Sequence, residues 1–247
     1  MNEPPAWPYP RLAAHRGAGK LAPENTLAAF RLGHAHGYRM AELDAKLSAD
    51  GVAFLLHDPT LERTTSGSGR ADALSWRELA QLDAGAWHSA QNAGEPIPTL
   101  ATIARWSRAN GVALNIEIKP TPGRERETGA AIALDCQSLW ANAGDLPLLS
   151  SFAEAALAAA RDVAPELPRA YLTDRLPEDW RDRVTRLGCM AVDVKHTLLT
   201  RERVAEFRAA GLRVCAWTVN DPARAHELLA WGVDTVITDA VDAIPPT

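Results

Sequence analysis

Cysteine is scarce in this sequence. Its 247 residues include three cysteines, Cys136, Cys189 and Cys215, which are odd in number and far apart. They lack the short paired spacing of zinc sites and the even count of a disulfide framework. We therefore expect reduced cysteines that act as packing residues, as is usual in a cytoplasmic protein.

Long apolar stretches and clusters of basic residues are also missing. No segment approaches the run of about 18 apolar residues that a membrane-spanning helix needs, and residues 1–10 contain four prolines and no apolar stretch typical of a signal peptide. The formal net charge is −5, and four of the 26 basic residues are lysines, with no basic run. Because a non-specific grip on nucleic acid needs clustered phosphate contacts, we expect neither a membrane nor a nucleic acid as partner. The sequence carries no signal for an oligomeric state.

Short β-branched or apolar runs alternate with longer segments of helical spacing. The eight predicted strands are residues 11–15, 40–46, 113–118, 146–150, 168–172, 190–194, 212–218 and 235–238. The seven predicted helices are residues 26–36, 97–109, 126–142, 153–163, 178–187, 200–210 and 222–231. The first of them is predicted to begin at Asn25 or Thr26, and we interpret Asn25 as a helix cap. This alternation predicts an α/β protein, a (β/α)8 TIM barrel, with an open doubly wound sheet as the alternative.

One segment breaks this rhythm after the second strand. Residues 49–96 form a connection longer than most in such folds; it opens with the turn-forming pair Asp50-Gly51 and an extended stretch that ends at His57. Two interpretations stay open, a cover for an active site and a tolerated surface insertion. We therefore expect one barrel domain over residues 1–247 with a small insertion at about 58–96.

Acidic side chains follow two of the predicted strands. Because side chains alternate along a strand, Glu42 and Asp44 share one face, and Asn115, Glu117 and Lys119 share a face of the next strand. Two like charges about 4 Å apart repel by roughly 4 kcal/mol at an effective dielectric constant near 20. A cation would relieve this repulsion, and all-oxygen ligands favour Mg²⁺ or Ca²⁺. Alternatively, the acids pair with Arg or Lys, or one of them has a raised pKa and acts as an acid.

Two histidines end strand-like runs beside charged neighbours. His15 precedes Arg16, and His57 precedes Asp58. An imidazole with a pKa of about 6.5 can accept or donate a proton near neutrality, which is worth roughly 10² to 10⁴ in rate. Arg16 and Lys119 are cations suited to phosphate oxygens, or to balancing the acids.

Seven short motifs resemble, in order, those of the glycerophosphodiester phosphodiesterase family. They are His15-Arg16-Gly17, Pro23-Glu24-Asn25-Thr26, Glu42-Leu43-Asp44, His57-Asp58, Glu117-Ile118-Lys119-Pro120, Trp217-Thr218-Val219-Asn220 and Thr238-Asp239. The resemblance runs from about residue 11 to residue 240 and is closest to the small cytoplasmic bacterial members. Single motifs of this length are weak, but the ordered set is specific. Ser48 and Ala49, and Ala45 beside the acids, depart from the family's usual residues without touching a proposed catalytic group.

The resemblance implies a barrel of the phosphoinositide-phospholipase-C-like type. It implies hydrolysis of a small-molecule glycerophosphodiester substrate to sn-glycerol 3-phosphate and an alcohol, with one divalent cation, Mg²⁺ or Ca²⁺, as cofactor. By motif, the metal ligands are Glu42, Asp44 and Glu117. Two alternatives stay open: a lysophospholipase D-like diesterase that uses the same metal site, and a non-catalytic phosphate-binding barrel.

The same motifs imply the remaining site residues. His15 and His57 would be the acid–base pair, Arg16 and Lys119 would contact phosphate, and Trp217 would be a wall for the glycerol moiety or a packing residue. In the mechanism that we expect, one histidine deprotonates the glycerol 2-hydroxyl, which attacks phosphorus to form a cyclic phosphate. Direct attack by water is the rival path.

Overall fold

The structure is a computed structural model that describes residues 5–246, and within them it has nine strands and eight α-helices. The strands are β1 Leu12–Ala14, β2 Met40–Leu47, β3 Ala53–Leu55, β4 Ala113–Ile118, β5 Leu148–Ser151, β6 Arg169–Thr173, β7 Ala191–Lys195, β8 Arg213–Trp217 and β9 Thr235–Thr238. The α-helices are α1 Leu27–Ala35, α2 Trp76–Leu79, α3 Leu100–Asn110, α4 Glu125–Leu139, α5 Glu154–Val163, α6 Trp180–Leu187, α7 Arg201–Ala209 and α8 Pro222–Trp231.

Eight of the strands close into a parallel barrel. Every strand except β3 pairs in parallel with its neighbours, and β1 pairs with both β2 and β9, which closes the sheet. Strand β3 is the exception because it returns antiparallel along β2. The predicted TIM barrel is therefore confirmed, and the open doubly wound sheet is excluded.

Alternating side chains build the two cores of the barrel. Residues that point inward at its lower end, such as Met40, Leu148 and Ala191, form one buried cluster, while outward residues such as Leu43 and Ile116 pack against the helices. Helices α3, α6 and α8 each end at a glycine in the left-handed backbone region, which glycine adopts without a steric penalty. Among residues 5–246, all three cysteines are buried and free of disulfides.

The lower end of the barrel is covered by the segment before β1. Tyr9 is buried and its hydroxyl donates to the Leu146 carbonyl at 3.1 Å, while the Trp7 indole donates to Thr235 at 3.0 Å. Access to the interior is therefore from the other end, where the strands have their carboxyl ends. Within the described chain, no helix has the length and apolar character needed to cross a bilayer.

The insertion after β2 is docked on the barrel with a small core of its own. Phe54, Leu61 and Leu79 are fully buried in it, and Phe54 pairs with Thr99 across an isolated bridge. Glu95 accepts from the Ala28 backbone at 2.9 Å and so ties the insertion to the start of α1. These contacts hold the segment that carries His57 in a defined place.

Candidate active site

Three buried carboxylates meet at the open end of the barrel. Glu42 and Asp44 lie two residues apart on β2, so both point inward, and Asp44 is in register with Glu117 of β4. One oxygen of each acid lies within 4.8 Å of the others. The structure therefore brings together the three acids that the sequence places on neighbouring strands.

The negative charge of this trio is only partly balanced. Lys119 donates to Glu117 at 3.0 Å and lies 3.5 Å from Asp44. The Arg16 Nε atom is 3.2 Å from Asp44. Burial works to raise the pKa of Asp44, but these two cations lower it to about 2. Burial, reinforced by the charge of Asp44, raises the pKa of Glu42 to about 8 and that of Glu117 to about 7. Lys119 and Arg16 therefore pair with the trio, but they do not neutralise all of its negative charge.

His15 sits in a short 3₁₀ turn that follows β1. Its Nδ1 lies 2.6 Å from an oxygen of Asp239, whose other oxygen accepts from the Asn220 amide at 3.0 Å. The Nε2 atom lies 3.7 Å from Glu42. Burial works to lower the pKa of His15, but the bond to Asp239 and the charge of Glu42 outweigh it and raise the pKa.

The backbone of this turn is unusual. Arg16 has a φ of 51°, a left-handed conformation that is uncommon outside glycine, and its N–H donates to Glu42 at 3.1 Å. Gly17 has a φ of 98°, and a Cβ atom there would lie 2.9 Å from the side chain of Ala29. Position 17 therefore requires glycine. The bond from the Arg16 N–H to Glu42 attaches this turn to the acidic trio.

His57 lies at the start of the insertion and has a carboxylate partner of its own. Its Nδ1 is 2.7 Å from Asp58, which accepts from Arg63 at 2.5 Å. Arg63 also donates to Glu24 at 2.7 Å, and Glu24 accepts from Arg16 at 2.8 Å. One continuous set of ion pairs thus links the second histidine to the arginine beside the trio. Burial lowers the pKa of His57.

The helix-cap interpretation of Asn25 is wrong. Thr26 is the cap of α1, because its hydroxyl accepts from the Ala29 N–H at 3.3 Å. Asn25 has a φ of 60°, which directs its side chain to the barrel, where it donates to Asp44 at 2.8 Å and accepts from the Asp44 N–H at 3.1 Å. Asn25 therefore positions a carboxylate of the trio.

The pocket at the open end of the barrel has apolar as well as charged lining residues. It has a volume of about 100 Å³, and Phe152, Leu172, Trp217 and Ile237 line it together with the charged groups. The rings of Trp217 and Phe152 meet edge to face with centroids 5.5 Å apart. The Trp217 indole donates to the Asp193 carbonyl at 3.3 Å, so this tryptophan packs in the barrel and also faces the pocket.

Comparison with known proteins decides the family. The sequence profile of the glycerophosphoryl diester phosphodiesterase family matches residues 15–243. The chain belongs to this family. A glycerophosphodiester phosphodiesterase of Caldanaerobacter subterraneus is 32% identical to it over 231 residues, which cover 92% of each chain.

Solved structures of other phosphodiesterases are similar over nearly the full length. An Oleispira antarctica phosphodiesterase, in complex with the product sn-glycerol 3-phosphate, is 37% identical with a TM-score of 0.89, covering 96% of this chain and 95% of that one. The glycerophosphodiester phosphodiesterase of Agrobacterium tumefaciens is 28% identical with a TM-score of 0.82, covering 95% and 98%. This glycerophosphodiester phosphodiesterase family member is therefore an enzyme, a phosphoric diester hydrolase.

Several polar contacts of this phosphodiesterase are not predicted by the sequence. Asp239 ends the Thr238-Asp239 motif, but its position in that motif does not indicate its contact with His15. Asn115 shares the face of Glu117 on β4, and its amide donates to Asp193 of β7 at 3.0 Å across the barrel, a contact that the sequence does not predict. Burial raises the pKa of Asp193 to about 7. Asp193 is an acid within a buried strand, β7, and this position is a signal that the sequence offers.

Proposed function

We propose that this chain hydrolyses glycerophosphodiesters to sn-glycerol 3-phosphate and an alcohol, using one divalent cation, Mg²⁺ or Ca²⁺, and a histidine pair. The observation that carries the proposal is one pocket lined by two histidines, each held at Nδ1 by its own carboxylate, and by Glu42 and Glu117, whose oxygens lie within 4.8 Å of an oxygen of Asp44. The product bound to the Oleispira enzyme supports the same product here. A cytoplasmic location and a single domain over residues 1–247 stay predictions from the sequence.

Glu42, Asp44 and Glu117 would hold the cation. Three carboxylate donors within 4.8 Å of one another suit a hard ion such as Mg²⁺ or Ca²⁺ better than Zn²⁺, which more often takes histidine or cysteine. When bound, the cation supplies Lewis acidity that offsets the negative charge developing around phosphorus. Arg16 and Lys119 line the same pocket and would contact phosphate oxygens.

His15 and His57 would carry the proton transfers. Because Asp239 and Asp58 occupy their Nδ1 atoms, Nε2 is the atom of each ring that meets the substrate. One histidine takes the proton of the glycerol 2-hydroxyl while the hydroxyl oxygen forms a bond to phosphorus. The other histidine protonates the oxygen of the departing alcohol as the bond between that oxygen and phosphorus breaks. Water then opens the cyclic phosphate with the two histidines in exchanged roles. Trp217 would stand against the glycerol carbons.

Hydrolysis of glycerophosphocholine tests the proposal. We expect release of sn-glycerol 3-phosphate in a coupled assay, loss of activity in EDTA, and recovery on addition of Mg²⁺ or Ca²⁺. Choline release from lysophosphatidylcholine without turnover of glycerophosphocholine would instead support the lysophospholipase D-like alternative. No turnover of either diester with added metal would refute the proposed activity and favour the phosphate-binding barrel.

A second substrate tests the cyclic path. A diester whose glycerol 2-hydroxyl is methylated offers no nucleophile, so we expect it to be inert. Its hydrolysis at a normal rate would show that water attacks phosphorus directly.

A further inference from the structure

Arg16 is held both at its backbone and at its side chain. Its N–H donates to Glu42, and its carbonyl oxygen accepts from the Asn25 N–H at 3.0 Å. Its guanidinium is anchored at two atoms, because Nη1 donates to Glu24 at 2.8 Å and Nε lies 3.2 Å from Asp44. Since a guanidinium is planar, two anchored nitrogens fix the direction of the third. The Nη2 atom therefore has a set direction, on a residue that lines the pocket.

The two anchors of the guanidinium differ in their other contacts. Asp44 is a proposed cation ligand and also lies 3.5 Å from Lys119, so its oxygens are shared. Glu24 does not line the pocket, and among residues 5–246 its carboxylate accepts from Arg16 and Arg63 alone. Burial works to raise the pKa of Glu24, but the bond to Arg63 and the charge of Arg16 outweigh it and lower the pKa. Glu24 is therefore ionised at neutral pH and serves only these two arginines.

Glu24 also connects Arg16 to the insertion. Arg63 donates to it from Nη1 at 2.7 Å and from Nη2 at 2.8 Å. The same guanidinium donates to Asp58, which is the partner of His57. The carboxylate of Glu24 is thus the contact between the arginine beside the acidic trio and the segment that carries the second histidine.

We propose that Glu24 is a positioning residue that directs the Arg16 guanidinium toward the substrate phosphate. This inference rests on the proposed function, in which Arg16 contacts phosphate oxygens. Glu24 touches neither the phosphate nor the reacting atoms, so it acts through Arg16. A small displacement of a substrate-binding group slows the reaction strongly, because catalysis depends on the alignment of the reacting groups.

A positioning role and a purely electrostatic role predict opposite effects of removing Glu24. A carboxylate near a phosphate site repels the ligand, so its removal tightens phosphate binding if charge is its only effect. If Glu24 directs Arg16, its removal lets the guanidinium turn away and weakens phosphate binding. Glutamine separates the two roles, because it lacks the charge but keeps an oxygen that accepts from Nη1.

Calorimetric titration with sn-glycerol 3-phosphate in the presence of Mg²⁺ measures this difference. We expect Glu24→Ala to weaken binding by at least about fivefold, and Glu24→Gln to recover most of the affinity. In an Arg16→Ala background, Glu24→Ala should weaken binding no further, because the group that it directs is gone. The kcat/KM of Glu24→Ala on glycerophosphocholine should fall by about 10- to 100-fold.

Glu154→Ala is the matched control. Glu154 also accepts from two arginines, Arg183 and Arg186, and none of these three residues lines the pocket. Its affinity for sn-glycerol 3-phosphate and its kcat/KM should stay within about twofold of the wild type. Because ion pairs of this kind contribute little to stability, both Glu24→Ala and the control should keep a Tm within about 5 °C of the wild type.

The outcomes separate this inference from the proposed function. Binding by Glu24→Ala as tight as that of the wild type, or tighter, overturns the positioning role while the proposed activity stands. Equal weakening in Glu24→Ala and Glu24→Gln also overturns it, as does a Glu24→Ala protein that does not fold. If the wild type does not hydrolyse glycerophosphocholine but Glu24→Ala alone loses affinity for sn-glycerol 3-phosphate, the activity is refuted and the role of Glu24 is supported.

Discussion

His15 and Asp239 approach to 2.6 Å although 224 positions separate them in the sequence. Their contact follows from closure of the barrel, because Ala14 at the end of β1 is in register with Thr238 at the end of β9. The next residue of each strand therefore emerges at the same edge, where Asn220 holds the second oxygen of Asp239. The pairing of β1 with β9 that closes the barrel therefore also orients His15.

Asp239→Asn should slow catalysis without unfolding the protein. The amide can still accept from the Nδ1–H of His15, but it no longer stabilises a positively charged imidazole. We expect kcat to fall by about 10² to 10⁴, with a midpoint of urea unfolding close to that of the wild type. Asp162→Asn, on the exposed outer surface of α5, controls for loss of a negative charge. A kcat within about twofold of wild type would exclude a role for Asp239 in orienting His15.

The two histidines should respond differently to the leaving group. His15→Ala and His57→Ala should each lower kcat on glycerophosphocholine by about 10² to 10⁴ with the fold intact, as judged by circular dichroism. A p-nitrophenyl diester needs no protonation of its leaving oxygen. The variant that has lost the general acid should therefore recover much of its rate on that substrate, while the other variant should not. Near-normal turnover of glycerophosphocholine by either variant would remove that histidine from the mechanism.

Glu117→Gln should separate stability from cation binding. Neutralising one member of a buried, mutually repelling trio relieves repulsion, so the metal-free variant should unfold at a Tm equal to or above that of the wild type. Mg²⁺ or Ca²⁺ should raise the Tm of the wild type, since a ligand that binds only the folded state stabilises it, and should raise that of the variant much less. Calorimetry should show cation affinity at least about tenfold weaker. Equal affinity in the two proteins would contradict ligation by Glu117.

Arg63→Ala should affect activity more than stability. Arg63 bridges Asp58, the partner of His57, to Glu24, the partner of Arg16, yet its own side chain is 45% exposed. Exposed ion pairs contribute about 0 to 1 kcal/mol, so the free energy of unfolding should change little. We expect a fall in kcat because the second histidine loses its support, with partial recovery in Arg63→Lys. An unchanged kcat would show that the insertion places His57 without this ion pair.

The sequence pattern was sufficient for the barrel and for the acidic trio. Strand alternation puts Glu42 and Asp44 on one face whatever the tertiary structure, and neighbouring parallel strands bring Glu117 beside them. Both statements need only local periodicity and the order of the strands. The same holds for the carboxyl-end position of the site, which is a property of the fold class.

Other parts of the site depend on contacts that local patterns do not encode. Asn25 resembles a helix cap in sequence, and only its left-handed backbone, with a φ of 60°, sends its side chain to Asp44 instead. The pairing of Asn115 with Asp193 joins strands that are not neighbours in the sheet, so neither register nor spacing predicts it. Such contacts depend on the three-dimensional arrangement of the side chains inside the barrel.

Asp193 should make stability depend on pH. Burial raises the pKa of this carboxyl from its usual value to about 7. Below about pH 4 it is protonated in both the folded and the unfolded chain. Between about pH 4 and pH 7 the unfolded chain releases this proton while the folded chain retains it. Its contribution to the free energy of unfolding therefore falls as pH rises and levels off above pH 7.

Comparison with Asp193→Asn isolates this effect. The amide does not titrate, and the ionisable groups that do not interact with Asp193 cancel in the difference between the two proteins. In urea unfolding with EDTA present, the stability of the variant relative to the wild type should be higher at about pH 8 than at about pH 5. The same difference at both pH values would mean that the folded protein accommodates the Asp193 carboxylate as easily as water does, and that its pairing with Asn115 is sufficient to hold a buried charge.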